Sequence, residues 1–230
     1  MGLLVSEIFH SIQGESTHAG RPCAFVRLTG CNLRCAWCDT AYSWENGRMM
    51  SQDEIIRTLK DFGCGLVEIT GGEPLMQPEA PELARKLVEM GFEVLVETNG
   101  TFPVDILDER VTAIVDIKCP SSGMSEHTLW KNLELLRPKD ELKFVIASRE
   151  DFDYATQVVE RLPVRIKHPP ATTEHFFGAS LLNAGRIHFS PVLDRLAPSE
   201  LAAWILAVGL PVRLSLQLHK YIWSPDARGV

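Results

Sequence analysis

Cys31, Cys35 and Cys38 share one short segment, Cys31-Asn32-Leu33-Arg34-Cys35-Ala36-Trp37-Cys38-Asp39-Thr40, and no fourth cysteine stands nearby. Three thiolates are one donor short of the four that close a tetrahedral zinc or iron–sulfur site. A 4Fe-4S cluster held by three thiolates leaves one iron open to an outside chelator. The amino and carboxylate groups of S-adenosylmethionine are such a chelator. Electron transfer into the adjacent sulfonium then cleaves an S–C bond and yields a carbon radical. Zinc is the competing reading, with His10 or His18 as fourth donor, but structural zinc sites use paired ligands at matched spacing and no second pair follows. Ordinary thiols are the third. Cys23, Cys64 and Cys119 flank strand-like or turn segments and read as free thiols packed as small hydrophobes.

Other polar groups fall just after strand-like runs: Thr70-Gly71-Gly72-Glu73-Pro74, Glu97-Thr98-Asn99-Gly100, Lys118-Cys119-Pro120-Ser121, Ser190-Pro191 and Gln217 to His219. Active sites of α/β folds lie at the carboxyl ends of the strands, so these positions would enclose one pocket on one sheet edge. Gln13 can donate and accept, and Glu15 accepts, which suits the ring N–H and carbonyl edge of a heterocycle; a solvated turn explains both equally well. Arg27 sits inside the apolar run Ala24-Phe25-Val26-Arg27-Leu28. An arginine there wants a bidentate anion such as a carboxylate, or it occupies a surface-facing alternate position. His168, His175 and His188 read as loop or strand-surface residues.

The elements that must hold these groups alternate. Strands are expected at Cys23–Leu28, Leu66–Thr70, Phe92–Glu97, Ala113–Lys118, Leu142–Ala147, Val164–Lys167, Ile187–Pro191 and Val212–Leu218. Helices are expected at Ser51–Phe62, Pro78–Met90, Ser125–Leu136, Asp151–Leu162 and Pro198–Val208, the first opened by a Ser51/Glu54 capping box. Pro169–Gly185 reads as a loop. The alternation implies βαβ units and a mainly parallel sheet with right-handed crossovers. A closed eight-stranded barrel usually takes about 250 residues, and the first residues do not resemble a βα unit. The expectation is therefore an α/β, partial, open TIM-like barrel, in one domain spanning 1–230.

The chain has 230 residues, 45% hydrophobic and 23% charged, with net charge −7 and six cysteines. That suits a globular core and argues against a broad basic face for nucleic acid, though not against a small nucleotide-like substrate. No apolar run approaches the roughly 20 residues that cross a bilayer. Met1 to Phe9 contains Glu7 and lacks a basic start, unlike a signal peptide. A reduced, cytoplasmic setting fits all six thiols.

The Cys31-x-x-x-Cys35-x-x-Cys38 spacing, with Trp37 before the last cysteine, resembles the signature of the radical S-adenosylmethionine superfamily, and Gly71-Gly72-Glu73-Pro74 resembles its second motif. Within it, Ile8-Phe9-His10-Ser11-Ile12-Gln13-Gly14-Glu15-Ser16, Phe25-Val26-Arg27-Leu28, Asp39-Thr40 and Gln217-Leu218-His219-Lys220-Tyr221-Ile222-Trp223 closely resemble the 7-carboxy-7-deazaguanine synthase family, from about Glu7 to Pro225. That resemblance implies conversion of 6-carboxy-5,6,7,8-tetrahydropterin to 7-carboxy-7-deazaguanine in queuosine-type biosynthesis. It implies substrate binding by Ile12, Gln13, Gly14, Glu15, Arg27, Thr70, His219 and Pro225, with 1–22 as the N-terminal substrate-binding segment. Contacts to S-adenosylmethionine are implied at Trp37, Cys38, Asp39, Gly72, Glu73, Asn99, Ser121, Ser190 and Pro191, and Mg2+ at Thr40. It also implies a homodimer and a reducing electron-donor protein, and leaves 226–230 as a tail. The near rival is a glycyl-radical activating enzyme, which shares the cysteine spacing but acts on a protein loop. A zinc-binding module without turnover is the rival from another class.

Overall fold

The computed structural model describes residues 2–162, 184–224 and 227–230. Among these, nine strands form one sheet: β1 (Gly2–Ile12), β2 (Pro22–Leu28), β3 (Arg48–Ser51), β4 (Leu66–Gly71), β5 (Glu93–Thr98), β6 (Thr112–Ile117), β7 (Glu141–Ile146), β8 (Ile187–Pro191) and β9 (Arg213–Leu214). Their order is β3-β1-β2-β4-β5-β6-β7-β8-β9. β1 runs antiparallel to β2 and β3, and each pairing from β2 through β9 is parallel. The sheet ends at β3 and β9 without closing, so the partial, open barrel expected from the alternation is the observed architecture.

The helices are α1 (Gln52–Asp61), α2 (Ala80–Glu89), α3 (Asn132–Leu135), α4 (Arg149–Glu160), α5 (Pro198–Val208) and α6 (His219–Ile222). The capping box that opens α1 is formed: the Ser51 hydroxyl accepts from the Glu54 N–H, and the Ser51 N–H donates to Glu54 Oε2 at 2.8 Å. Ile55 and Leu59 of α1, Leu83 and Leu87 of α2, and Phe152 of α4 pack on one sheet face against Val67, Ile69, Val96, Val115 and Phe144. Each such buried side chain contributes about 1.5–3 kcal/mol relative to exposure. Successive strand residues point to opposite faces. The intervening positions are polar: Arg27, Glu68, Thr70, Glu97, Asp116, Glu141, Lys143 and His188 line the concave face.

At the amino ends of the strands the concave face turns apolar, with Phe9, Cys23, Phe25, Leu66, Leu95 and Ile114 in one cluster and Phe9 stacked on Phe25 at 4.9 Å. The β1–β2 connection is tied down beside it. The Thr17 N–H donates to Glu141 Oε2 at 3.0 Å, and His18 Nε2 lies 2.9 Å from Glu93 Oε1.

Four elements differ from expectation. β1 and β3 lie where no strand was predicted; both belong to the antiparallel margin, outside the βα repeat that guided the reading. The helix predicted for Ser125–Leu136 is a 3-10 turn at Ser125–His127 followed by the single turn of α3. Its backbone and polar groups serve the preceding loop instead: the Leu129 N–H donates to Gly100 O, and Asn132 bonds Gly100 O, Phe102 O and the Val104 N–H. The strand predicted for Val212–Leu218 shrinks to β9, because after Ser215 the chain leaves the sheet to bond Gly14 O through the Leu218 N–H. His188 is 1% exposed, with Nε2 2.7 Å from Glu141 Oε2, rather than at the strand surface. The predicted strand Val164–Lys167, His168, His175 and nearly all of the predicted loop lie outside the described residues.

Candidate active site

The cysteine loop follows β2. All three thiols are free and half-buried. Sulfur meets N–H donors here: the Leu33 N–H lies 3.4 Å and Asn99 Nδ2 3.8 Å from Cys31 Sγ. Arg34 braces the loop by donating to the carbonyls of Cys31 and Leu33, each at 2.8 Å. Burial pushes the Cys31 and Cys35 thiols up, and the positive charge of Lys118 pulls both back towards thiolate. Half-buried sulfurs supplied with N–H donors and a nearby ammonium fit the outer shell that iron–sulfur clusters require. Among the described residues, no three His, Cys, Asp or Glu side chains gather as the shell of a single metal ion.

The Gly71-Gly72-Glu73-Pro74 turn lies directly beneath that loop. A Cβ on Gly72 would stand 2.0 Å from Gly30 O and 2.8 Å from Cys31 Cβ. The Glu73 N–H bonds Gly30 O at 2.8 Å. Gly72→Ala is therefore expected to displace Gly30 and Cys31 at a cost of about 1–3 kcal/mol. It should lower iron and sulfide bound per chain after reconstitution while the far-ultraviolet circular dichroism stays that of the parent; an unchanged iron content would contradict this. The Glu73 side chain is fully buried. It accepts from the Leu75 N–H at 2.9 Å, the Thr98 hydroxyl at 2.8 Å and the Asn99 N–H at 2.6 Å, tying the ends of β4 and β5 together. Burial raises its carboxyl to about 7 against those donors.

A cavity of about 430 Å3 opens at the carboxyl ends of the strands, a size typical of small-molecule sites. Cys31, Cys35, Trp37, Cys38, Asp39 and Thr40 line it. So do Thr70, Gly72 and Asn99 from strand ends, and Ile12, Gln13, Gly14, Glu15, Arg27 and His219. Ser121, Ser190 and Pro191 stand outside this wall: the Ser121 hydroxyl bonds Asp151, the Ser190 hydroxyl donates to Ser215 O at 2.7 Å, and Pro191 borders an adjoining cavity of about 370 Å3. Pro225 lies outside the described residues.

The N- and C-terminal segments meet at the cavity. A Cβ on Gly14 would lie 2.6 Å from His219 Nδ1, so the approach requires glycine. Gln217 Nε2 donates to Glu15 Oε1 at 2.7 Å, and Lys220 pairs with Asp39 at 2.7 Å. Burial pushes the His219 imidazole down, towards neutral. Arg27 is held through Nε by Glu7 at 2.7 Å, and Glu7 also accepts from the Tyr42 hydroxyl at 2.7 Å. The two terminal amino groups of Arg27 make no hydrogen bond among the described residues. Thr40 Oγ1 lies 3.7 Å from Cys38 Sγ on the cavity wall.

Sequence reasoning missed the charged floor. Lys143, 6% exposed, bridges Glu15 and Glu97, the latter at 2.8 Å. Lys118 pairs with Asp116 at 2.7 Å. The available signal was the one used for Arg27: a lone charge inside an apolar strand, as in Leu66-Val67-Glu68-Ile69 and Leu142-Lys143-Phe144.

An open, mostly parallel α/β sheet with a three-cysteine loop at its ligand edge defines a class, the enzymes that bind S-adenosylmethionine to a site-open iron–sulfur cluster. Residues 25–163 match the Radical SAM superfamily model. The chain is 47% identical to 7-carboxy-7-deazaguanine synthase of Chlorobaculum tepidum, covering 99% of this chain and 97% of the relative. It is 42% identical to the enzyme of that name from Koribacter versatilis, over 98% and 99% of the two chains. The crystal structure of QueE from Escherichia coli shares the fold, with a TM-score of 0.72 at 24% identity over 94% of each chain. The chain belongs to the Radical SAM superfamily and, within it, to the 7-carboxy-7-deazaguanine synthase family. Membership implies a 4Fe-4S cluster and S-adenosylmethionine as its cofactors.

Proposed function

We propose that the chain converts 6-carboxy-5,6,7,8-tetrahydropterin into 7-carboxy-7-deazaguanine with loss of ammonia, in the making of deazapurine nucleosides such as queuosine. The observation that carries this reading is a single cavity holding both the cysteine loop and Arg27, a half-buried cation with its terminal N–H groups unspent. The chemistry supplied by the cluster and S-adenosylmethionine when bound is one-electron hydrogen abstraction at C6 of the pterin. Cys31, Cys35 and Cys38 hold the cluster. Trp37, Asp39, Gly72 and Asn99 offer the wall for S-adenosylmethionine, while Glu73 sets the strand ends beneath it. Ser121, Ser190 and Pro191 belong to this set by resemblance alone: the Ser121 hydroxyl and N–H both bond Asp151, and the Ser190 hydroxyl bonds Ser215 O.

Arg27 grips the 6-carboxylate, and Glu7 holds the guanidinium so that its fork faces the cavity. The main chain of Ile12 to Gly14, with Gln13, Glu15, Thr70 and the neutral His219, frames the heterocycle; Pro225 belongs to the same set by resemblance. The Thr40 hydroxyl is a hard oxygen donor on the wall and suits Mg2+ shared with substrate. The family resemblance further suggests a single-domain cytoplasmic homodimer served by a reducing electron-donor protein.

Arg27→Ala is expected to raise KM for the carboxypterin roughly 10- to 100-fold, the worth of a hydrogen-bonded charge, with little change for S-adenosylmethionine. The decarboxylated pterin should show the same deficit with the parent protein, so that the two losses do not add. Equal effects on both substrates would refute the carboxylate clamp. Thr40→Ala should weaken the dependence of rate on Mg2+ yet leave iron and sulfide content unchanged; a lost cluster in that variant would count against Thr40 as a magnesium ligand.

A further inference from the structure

Glu68 sits on the concave face of β4, 3% exposed, and lines the substrate cavity. Its neighbours on that face divide the available charge unevenly. Glu15 and Glu97 share Lys143. Glu68 has the side-chain amide of Gln13 as donor, and no lysine, arginine or histidine among the described residues comes within ion-pair distance of it. Beneath it lies a void of about 10 Å3, also bordered by Ser16, His188 and Lys143; Glu141 takes His188 Nε2 at 2.7 Å, and Lys143 is already paired with Glu15 and Glu97. An ionised carboxylate so placed would carry a desolvation cost that Lys143, divided between Glu15 and Glu97, offsets only in part. A neutral acid has a use for its proton, because the carboxyl groups of Glu15, Glu68 and Glu97 border this one void with Lys143 as their shared ammonium. Two ionised carboxylates cannot share a hydrogen bond; an acid and a carboxylate can.

We infer that Glu68 is a neutral carboxylic acid that donates its proton to Glu97 and accepts from Gln13, and so acts as a positioning residue for substrate recognition. The inference rests on the proposed substrate only for what Gln13 recognises, not for where the proton is. The electrostatics agree in direction. Burial, then the charges of Glu97 and Glu15, push the Glu68 carboxyl well above its ordinary range, whereas at Glu97 burial is overcome by Lys143, which holds that carboxyl low. Such divergence within a pair assigns the proton. The Gln13 amide is then fixed at both ends: Nε2 donates to Glu68, and Oε1 accepts from the Glu15 N–H at 2.8 Å. That fixes which face of the N-terminal loop the heterocycle meets.

The test uses reconstituted holoprotein. Infrared difference spectra between H2O and D2O at neutral pH should contain a protonated-carboxyl carbonyl absorption that Glu68→Gln diminishes, the remainder coming from Glu73, whose carboxyl lies at about 7. Glu68→Ala should raise KM for the carboxypterin by about tenfold or more with a smaller change in kcat, and Glu68→Gln, which keeps a donor and an acceptor in place, should recover most of that rise. Undiminished carboxyl absorption in Glu68→Gln relative to the parent, or a glutamine variant as impaired as the alanine variant while equally folded, would overturn the assignment. The infrared band needs no pterin, so it decides the proton's place even if the substrate proves to be another molecule.

Discussion

Cys35→Ala protein, reconstituted without oxygen from iron and sulfide, is expected to lose the broad brown absorbance of an intact cluster and to lose turnover by well over about a hundredfold, since disturbing merely the outer shell of a metal site costs 10- to 100-fold. The groups beside the sulfurs are otherwise engaged: the Leu33 N–H and the Asn99 amide donate to Cys31 rather than accept, and Asp39 is paired with Lys220. The fold should survive, because the loop lies above the carboxyl ends of the strands and the apolar core beneath α1, α2 and α4 contains none of the three cysteines. Matched circular dichroism with absent cluster absorbance is the expected pair of readings. Retained cluster content and activity would mean that a fourth protein ligand exists.

Lys143→Met is expected to cost about 3 kcal/mol of stability at neutral pH, the low end for breaking a buried ion pair, because the Glu97 side chain keeps 26% exposure. The sign with pH follows from the folded carboxylates. In the parent, burial pushes Glu97 up but the Lys143 charge wins and holds it low. Its contribution is therefore present above the ordinary glutamate value of about 4.3 and fades as pH falls. Without Lys143, burial raises Glu97, so the penalty appears as pH rises through that same range and is relieved in acid. Urea unfolding should show a large deficit at neutral pH and a smaller one near pH 4. A deficit independent of pH would contradict the charged floor described here.

These two variants mark what was legible in the sequence and what was not. The three cysteines, the glycine turn after β4 and the βα alternation are local patterns, each with its own spacing, and all reappear where expected. The charged floor is not local. Glu15, Glu97 and Lys143 come from the N-terminal loop, β5 and β7, and only the curvature of the sheet brings them together. β1 escaped notice because its residues lack the strict alternation of a half-buried strand and its pairing to β2 contains an irregularity between Val5 and Glu7. The Ser125–Leu136 pattern had helical spacing, yet Asn132 competes for backbone partners in the adjoining loop, as asparagine side chains do. Glu73 offers the opposite lesson: its motif was recognised, but its buried hydrogen bonds give it a bracing task that the motif alone does not reveal.

The most direct test of the whole account is anaerobic incubation of the reconstituted chain with 6-carboxy-5,6,7,8-tetrahydropterin, S-adenosylmethionine, Mg2+ and a strong reductant, followed by mass analysis. The account predicts 7-carboxy-7-deazaguanine and ammonia, formed together with 5′-deoxyadenosine. Cleavage of S-adenosylmethionine with the pterin left intact would contradict it.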